Sequence, residues 1–594
     1  MKKKPIRIFS LLLLTTLFNT VYAQIVTNNT ELQTAITNAT AGTTITLADG
    51  TWTDVLININ KTGTLSNPVT IKAQNPGSVF FEGDSQVRMG GSYIVFEGVI
   101  FQNPSNLQDD GDDVEPIIEL RDASKNECDH CSITNIKIDS YNGTSSQEAF
   151  TFKWIIVYGQ YNEISYCSFI GKHGVGSIIN DNRNENTSGS NFSEPDFTKI
   201  HHNYFADRTP IREVNQDNDQ DAIRIGNSST SLHPSNTEVY DNLFYNWSGE
   251  VEIISNKSGE NKYYNNTFKN YQGTLTLRHG DNCEVFNNYF FADNRQFSGG
   301  VRVIGEGHKI YNNYIEGVNS EKPTGGTTKT AGAINVSNGR PNSALNGYYQ
   351  VIDATIVNNT FVNCDYGFRI GTNVGNDLTL APENLIIANN IMINTSENAV
   401  DEQTNPIGVS TYEGNITQNG SWDLTNGVNS NQTVSSGLLI NGTDFYRLPS
   451  GSPAIDNGIG TYSFLTKDIL DGNRSSNYDA GAEEFGANGT RLPYTIGDVG
   501  KKLGFGAPEF ILNVEENTFT SKGISIYPIP SKNHRITIQS NDDVIGLIEV
   551  YDLSGRIVLK KQINSNLGQL ETANLRTGTY IAKIQGAYGR FLIL

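Results

Sequence analysis

Positive charge is scarce in this chain. Forty-three Lys and Arg against 63 Asp and Glu leave a formal charge of −20 over 594 residues. That balance excludes a nucleic-acid binder, because a polyanion is held by releasing its counterions to a basic surface. An anionic partner would need a local basic groove or a bound cation. Extended helical patterns are also scarce. Abundant Asn, Gly, Thr and aromatics, with only 18% charged residues, point instead to many short strands joined by polar turns. Cysteine is sparse and odd in number: Cys128, Cys131, Cys167, Cys283 and Cys364. Cys128-x-x-Cys131 has no second CxxC and no HxxxH to complete a zinc site, which leaves buried thiols between stacked strands, or one local disulfide. The apolar run Ile8 to Phe18 is too short to span a bilayer. Lys2, Lys3, Lys4 and Arg7 precede it and Val21-Tyr22-Ala23 follows with small-x-small spacing. Residues 1–23 therefore read as a secretory signal peptide with Gln24 as the mature start. No Cys follows that junction, which excludes a lipoprotein.

What the chain does have is a repeat. A pair ending in Asn precedes two aromatic or aliphatic positions at His202-Asn203, Asp241-Asn242, Asn265-Asn266, Asn287-Asn288, Asn312-Asn313, Asn358-Asn359 and Asn389-Asn390. From Asn242 to Asn266, Asn288 and Asn313 the steps are 24, 22 and 25 residues, and longer steps elsewhere mark insertions. This period predicts an all-β fold, a right-handed parallel β-helix with one coil per repeat. Asn at a coil corner tolerates the left-handed backbone, and stacked Asn side chains can bond along the ladder. Phe268, Phe290, Ile315 and Phe361 are expected to stack inside. A leucine-rich horseshoe is excluded by the missing LxxLxLxxN pattern. Ahead of the repeats, Glu31–Ile36 reads as a short helix capped by Thr30 or Asn29, followed by strands at 44–47, 69–73 and 93–97. The repeats fade after Asn390. Ser452–Asp456 with Asp471–Arg474 and Tyr478–Glu483 then reads as a terminal closing segment whose acids bond turns and Arg474. Polar residues 514–523 read as a linker, and a small β-sandwich begins at Ile524.

The chemistry concentrates between Ser248 and Gly280. Glu250 and Glu252, two apart on a strand, point to one side and would repel unless a cation joins them. Oxygen ligands of this kind suit Ca²⁺. Lys257 follows on the same stretch, and Arg278-His279 comes about one repeat later. Counting from the corner Asn places Glu252, Arg278, Arg302 and Arg369 at 10, 12, 14 and 10 residues, which aligns them approximately along one outer groove.

Three stretches together resemble polysaccharide lyase family 6, the family of alginate lyases and chondroitinase B. They are Asn218-Asp219-Gln220-Asp221-Ala222-Ile223-Arg224-Ile225-Gly226, Gly249–Ser258 and Leu277-Arg278-His279-Gly280. The resemblance extends to Ala48–Trp52 and Gly300–Gly305, so that residues 24–513 would form the lyase domain. It implies Ca²⁺ ligation by Asn218, Glu250 and Glu252, Lys257 as general base and Arg278 as general acid. It also implies substrate contacts through His279, Arg302 and Arg224, and the groove alignment adds Arg369. Asp221 stands where many relatives have Glu. The implied substrate is an anionic 4-linked uronate polymer, alginate first, cleaved by a monomer through β-elimination. Dermatan sulfate is the alternative polymer. A β-helix hydrolase, which needs clustered acid and base carboxylates, and a non-catalytic glycan binder are alternative classes.

Residues 524–594, with Ile526–Pro530, Ile548–Arg556 and Leu575–Ile581 as strands and turns, resemble the C-terminal sorting domain of the type IX secretion system. This implies a protein secreted or displayed at the cell surface by that machinery.

Overall fold

The computed structural model describes residues 23–183, 194–211, 219–322, 331–373, 377–424 and 431–501, and most of 524–593. The chain divides into two compact units, Met1–Ala507 and Pro508–Leu594. The signal peptide up to residue 22, Asn218 and the linker at 514–523 lie outside the described residues.

The first unit is a right-handed parallel β-helix. Three parallel sheets of 14 strands each run its length, and each coil visits them in the same order. One coil, for example, contributes Glu238–Tyr240, Leu243–Tyr245 and Glu252–Lys257 to the first, second and third sheets. The corner between the first two sheets explains the Asn pair. The first member takes the left-handed backbone, with φ of 58° at Asn265, 59° at Asn287 and 54° at Asn312. The second turns inward and builds the ladder: Oδ1 of Asn288 accepts from the backbone N–H of Asn266 at 2.9 Å and from its Nδ2 at 3.0 Å. The same exchange continues through Asn313, Asn359, Asn390 and Asn415 to Asn431. The coils therefore extend past Asn390, where the sequence motif fades. They also begin before Asn203: in the preceding coils Ile136 and Cys167 occupy the ladder position, which hid those repeats from an Asn-based search.

Aromatic rings fill the interior. Phe205, Phe244, Phe268 and Phe290 stack with centroids 4.8, 4.6 and 4.5 Å apart, the spacing of neighbouring strands. Replacing Asn288 by Ala should lower unfolding stability by about 3 kcal/mol, because two buried N–H donors of Asn266 lose their acceptor. Equilibrium denaturation would measure it, and a loss below about 0.5 kcal/mol would remove the ladder's stabilising role.

At the N-terminal end the helix spans Asn29–Asn38 and its N-cap is Asn28, whose side chain accepts from Glu31 N–H at 3.0 Å. The predicted cap was one or two residues too late. The predicted strand at 93–97 starts at Ile94, because Tyr93 occupies the left-handed turn at φ 52°. Cys128 and Cys131 form a disulfide and the other three cysteines are buried thiols, so both open readings of cysteine apply. The segment 452–501 does not close the end of the stack. It runs back along the outside, where Gly481 N–H bonds Asn389 O, Tyr494 N–H bonds Thr267 Oγ1 and Gly500 N–H bonds His202 O. Its acids are structural as expected: Glu484 pairs with Arg474 at 3.4 Å and Glu483 with Arg447.

The second unit holds a seven-stranded sheet system, mostly antiparallel, with Ile536, Ile538, Ile548 and Val550 in its core.

Candidate active site

The outer face of the third sheet carries the chemistry. Lateral register sets one row of side chains: Arg224 beside Ser255, then Thr276, Arg302, Asn335 and Arg369, each one coil further on. Arg302 and Arg369 thus share a line, as the corner count approximated, and Arg224 joins them. Glu252 and Arg278 do not: Ser255 and Thr276 hold the row in their coils. A register shift between Asn256 and Lys257 sets Lys257 opposite His279, and Arg278 stands just before it. The bulge brings the amine and the guanidinium to neighbouring coils at the end of the strand pair. On the other side Lys257 is opposite Gly226. A Cβ there would sit 2.9 Å from Lys257 O, on a backbone at φ 69°, so only glycine fits beside this strand.

Three carboxylates meet at the start of the strands. Register places Asp221 beside Glu252 in the next coil, since Ala222 N–H bonds Ile253 O. Asp221, Glu250 and Glu252 are 1%, 3% and 7% exposed. Gln220 N–H donates to Glu250 Oε1 at 2.8 Å. Burial, with Asp221 and Glu252 nearby, pushes the Glu250 carboxyl well above its ordinary pKa. Burial also raises Asp221. Glu252 goes the other way: burial opposes its charge, but Arg302, Lys257 and Arg278 outweigh it and hold its pKa low. Its Oε1 lies 3.5 Å from Arg302 Nη1 and 3.9 Å from Arg278 Nε.

A hard cation fits this donor set. Asp221 Oδ1 is buried without a hydrogen-bond partner, and all the converging donors are oxygens. Among the described residues, no three Asp, Glu, His or Cys side chains close into a cage by themselves, and Asn218 lies outside those residues. Asp221 would join Glu250 and Glu252 as a holder of the ion, a residue that the sequence comparison registered only as a departure from Glu.

The remaining groups are organised by an insertion between the third-sheet strands Ile334–Ser337 and Phe368–Thr372. Arg278 donates to the Gly347 carbonyl and, at 3.0 Å, to that of Asn346. Its guanidinium lies 4.4 Å from the Tyr348 ring centroid, and that of Arg302 lies 5.2 Å from it. Arg302 also donates to the Tyr348 hydroxyl. Burial lowers the Arg278 pKa, Glu252 opposes this, and Arg302 adds to it. Tyr348 was invisible to sequence reasoning because the insertion has no period; its one signal was the long step from Asn313 to Asn359.

His279 is neutral. Its Nε2 is 3.1 Å from the Gly347 carbonyl, which can only accept, so Nε2 carries the proton and Nδ1 faces Ser228 Oγ at 3.4 Å. Burial, Arg278 and Lys257 push its pKa down to about 3. A depressed imidazole pKa means that the unfolded chain takes up a proton the folded one refuses. Its contribution is therefore full above pH 6.5 and is lost at about 1.4 kcal/mol per pH unit below. His279→Gln should flatten that part of the stability profile between pH 6.5 and 4. Parallel profiles for the two proteins would refute it.

Arg224 pairs with Asp221 at 2.9 Å and with Asp219; these acids outweigh burial and raise its pKa. Lys153, another residue the sequence did not single out, lies in the same field, its pKa lowered by burial and by Arg224. Arg369 is two coils beyond Arg302, held by Asp401 at 2.7 Å and stacked on Tyr366. It is therefore remote from the acid cluster. The ammonium of Lys257 forms no hydrogen bond or ion pair with a described residue, which leaves it available at the groove.

The family described as chondroitinase B matches residues 26–445, and the family described as secretion system C-terminal sorting domain matches residues 525–591. A search of curated proteins finds no match. Among solved structures, the PL6 family alginate lyase AlyGC is 27% identical, with a TM-score of 0.60, over 75% of this chain and 59% of its own. A variant of AlyGC is 29% identical, with a TM-score of 0.59, over 71% of this chain and 54% of its own. The chain thus spans somewhat more than half the length of these two structures. A PL6 family polysaccharide lyase from Pseudopedobacter saltans is 22% identical, with a TM-score of 0.54, over 80% of this chain and 99% of its own. That likeness shows the fold.

Proposed function

Because this chain belongs to the chondroitinase B family, within polysaccharide lyase family 6, we propose that it is a secreted, Ca²⁺-dependent lyase cleaving alginate by β-elimination. The observation that carries the reading is the register of one strand pair. It sets an amine with no described partner (Lys257) one coil from a partly buried guanidinium (Arg278), beside carboxylates suited to a cation. A hydrolase needs an acid and a base carboxylate across the bond. Here the carboxylates are buried together and the groups at the groove are cationic.

In the proposed reaction the C5–H bond of a uronate breaks, its electrons form the C4=C5 double bond, and the C4–O4 bond is released. When bound by Asp221, Glu250, Glu252 and Asn218, Ca²⁺ would supply charge neutralisation for the substrate carboxylate, which acidifies C5–H. Lys257, in its neutral form, takes the C5 proton. Arg278 stabilises charge at the leaving O4, with water supplying its proton, because a guanidinium is a poor proton donor. Tyr348, itself bonded by Arg302, and Glu252 hold Arg278 in place. Arg224 and Arg369, along the same row, attract neighbouring carboxylates of the polymer.

The sorting domain at residues 525–591 supports export through type IX secretion, with residues 1–23 as the signal for the first membrane. Alginate is favoured over dermatan sulfate by the alginate-lyase likeness at 27% identity. The deciding assay incubates the protein with each polymer and follows ultraviolet absorbance of the unsaturated uronate end. Rapid absorbance growth on alginate is expected. Growth on dermatan sulfate alone would transfer the assignment to that polymer, reducing ends without absorbance would mean hydrolysis, and neither signal would leave a binding module.

A further inference from the structure

The corner between the second and third sheets contains two stacked, buried cations that the lyase chemistry does not use. Lateral pairing aligns Lys137, Ser168, Tyr204, Leu243 and Thr267 in successive coils. Four residues further along each coil stand Tyr141, Lys172, Arg208, Trp247 and Tyr271, all fully or almost fully buried. Three of these five inward positions are aromatic. The other two are Lys172, 0% exposed, and Arg208, 1% exposed, in adjacent coils.

Neither has a counter-ion. Among the described residues no carboxylate lies within ion-pair distance of either cation. Lys172 Nζ donates to Phe152 O at 2.7 Å, and Arg208 donates to Gly174 O at 2.6 Å and Gly176 O at 3.3 Å. Asp221 and Glu250, beyond ion-pair distance, favour the Arg208 charge, but burial outweighs them, and Arg208 itself opposes the charge of Lys172. The same corner has a surplus of donors. Trp154 Nε1, Ser177 Oγ, Arg208 Nε, Gln220 Nε2 and Trp247 Nε1 are all buried without a partner.

These atoms belong to one place. Lys172 Nζ is 5.4 Å from the Trp154 ring centroid, and Arg208 Cζ is 5.8 Å from that of Trp247. The backbone N–H of Trp154 bonds Ser177 O, and that of Ile178 bonds Asp221 O; the register sets Ser177 beside Asp221, the neighbour of Gln220. A Cβ built on Gly249 would lie 3.1 Å from Gln220 Cβ and 3.7 Å from Arg208 Nε. Donors without acceptors around two unpaired cations are the chemistry of an anion site.

We propose that this corner binds a small monovalent anion of the halide class between Lys172 and Arg208, with the indole, hydroxyl and amide donors completing its shell. The site is distinct from the groove but mechanically joined to it. Gln220, one of the donors, gives its backbone N–H to Glu250 and directly precedes Asp221. The anion therefore fastens the segment that presents the carboxylates. Without it, burial and Arg208 drive the Lys172 ammonium toward its neutral form.

The test uses the full chain and bromide as probe. Crystals soaked in sodium bromide should show an anomalous peak between Lys172 Nζ and Arg208 Nε. At fixed calcium and ionic strength, chloride should raise the melting temperature over gluconate by about 2 °C or more. Lys172→Met should lose that dependence. Bromide density confined to the surface, or equal melting in chloride and gluconate, would overturn the site in favour of a neutral Lys172 with buried water. Should Lys172→Met not fold, the bromide map of the unsubstituted protein decides.

Discussion

Lys257→Ala should lower turnover on alginate by about 10³-fold or more, within the range that a positioned base supplies, while leaving the melting temperature within a degree or two. The second half of that expectation comes from the structure. The ammonium is only partly buried and bonds no described residue, so truncation leaves no orphaned partner. Lys257→Arg sharpens the test. A guanidinium preserves positive charge beside Glu252 but cannot be neutral at working pH, so it should be as inactive as Ala. An active Lys257→Arg enzyme would mean that the residue acts as a cation and that the base lies elsewhere, with Lys153 the next amine along the groove. Arg278→Ala differs in kind. It should abolish turnover and also loosen the Asn346–Tyr348 insertion, which Arg278 anchors through two carbonyls and a ring. Its kinetics therefore need a melting measurement beside them.

Removal of calcium should have the second-largest effect. Exhaustive chelation is expected to abolish turnover and lower the melting temperature, and added Ca²⁺ to restore both. A ligand at 100 times its Kd stabilises by about 2.7 kcal/mol, a readout independent of catalysis. The pH dependence follows from the carboxylates. Burial and the neighbouring acids raise Glu250 in the ion-free protein. The folded state then holds more protons than the unfolded one, and ion-free stability falls as pH rises through the carboxylate range toward the raised value. Calcium competes with those protons, so the calcium-induced rise in melting temperature should be larger at pH 8 than at pH 5. Glu250→Gln should shrink that rise at both. Full activity after chelation, or a calcium shift that ignores pH and Glu250, would remove the metal from the mechanism.

The C5 proton is the point where these two experiments meet. Lys257 takes it, and bound calcium would make it acidic by neutralising the adjacent carboxylate. Chelated protein should therefore lose turnover even where its fold persists.

Much of the molecule is legible in the linear chain. The period of 22–25 residues over Asn242 to Asn313 marks the coils because each coil must return the same inward positions to the same column. The Asn pair is legible because one corner needs both a left-handed residue and an inward amide, and few side chains can meet the second need. Glu250, Glu252, Lys257 and Arg278 are legible as a group because they lie within a repeat and a half of one another, where few insertions intervene.

Tertiary structure decided the rest, and the reason is register. A corner count places Arg278 in line with Arg302 and Arg369, but the bulge at Asn256 and Lys257 moves it out of that row and beside the amine. Asp221 and Glu252 are 31 residues apart in the chain and adjacent in the sheet, so their shared burial appears only once the coils are stacked. Tyr348 reaches the site from an insertion that has no period to read. Lys172 and Arg208 look like ordinary surface charges until lateral pairing places them, one above the other, in the interior. Local sequence determines what each coil is made of; which side chains face one another across coils depends on the lengths of the insertions between them, and those lengths follow no repeat.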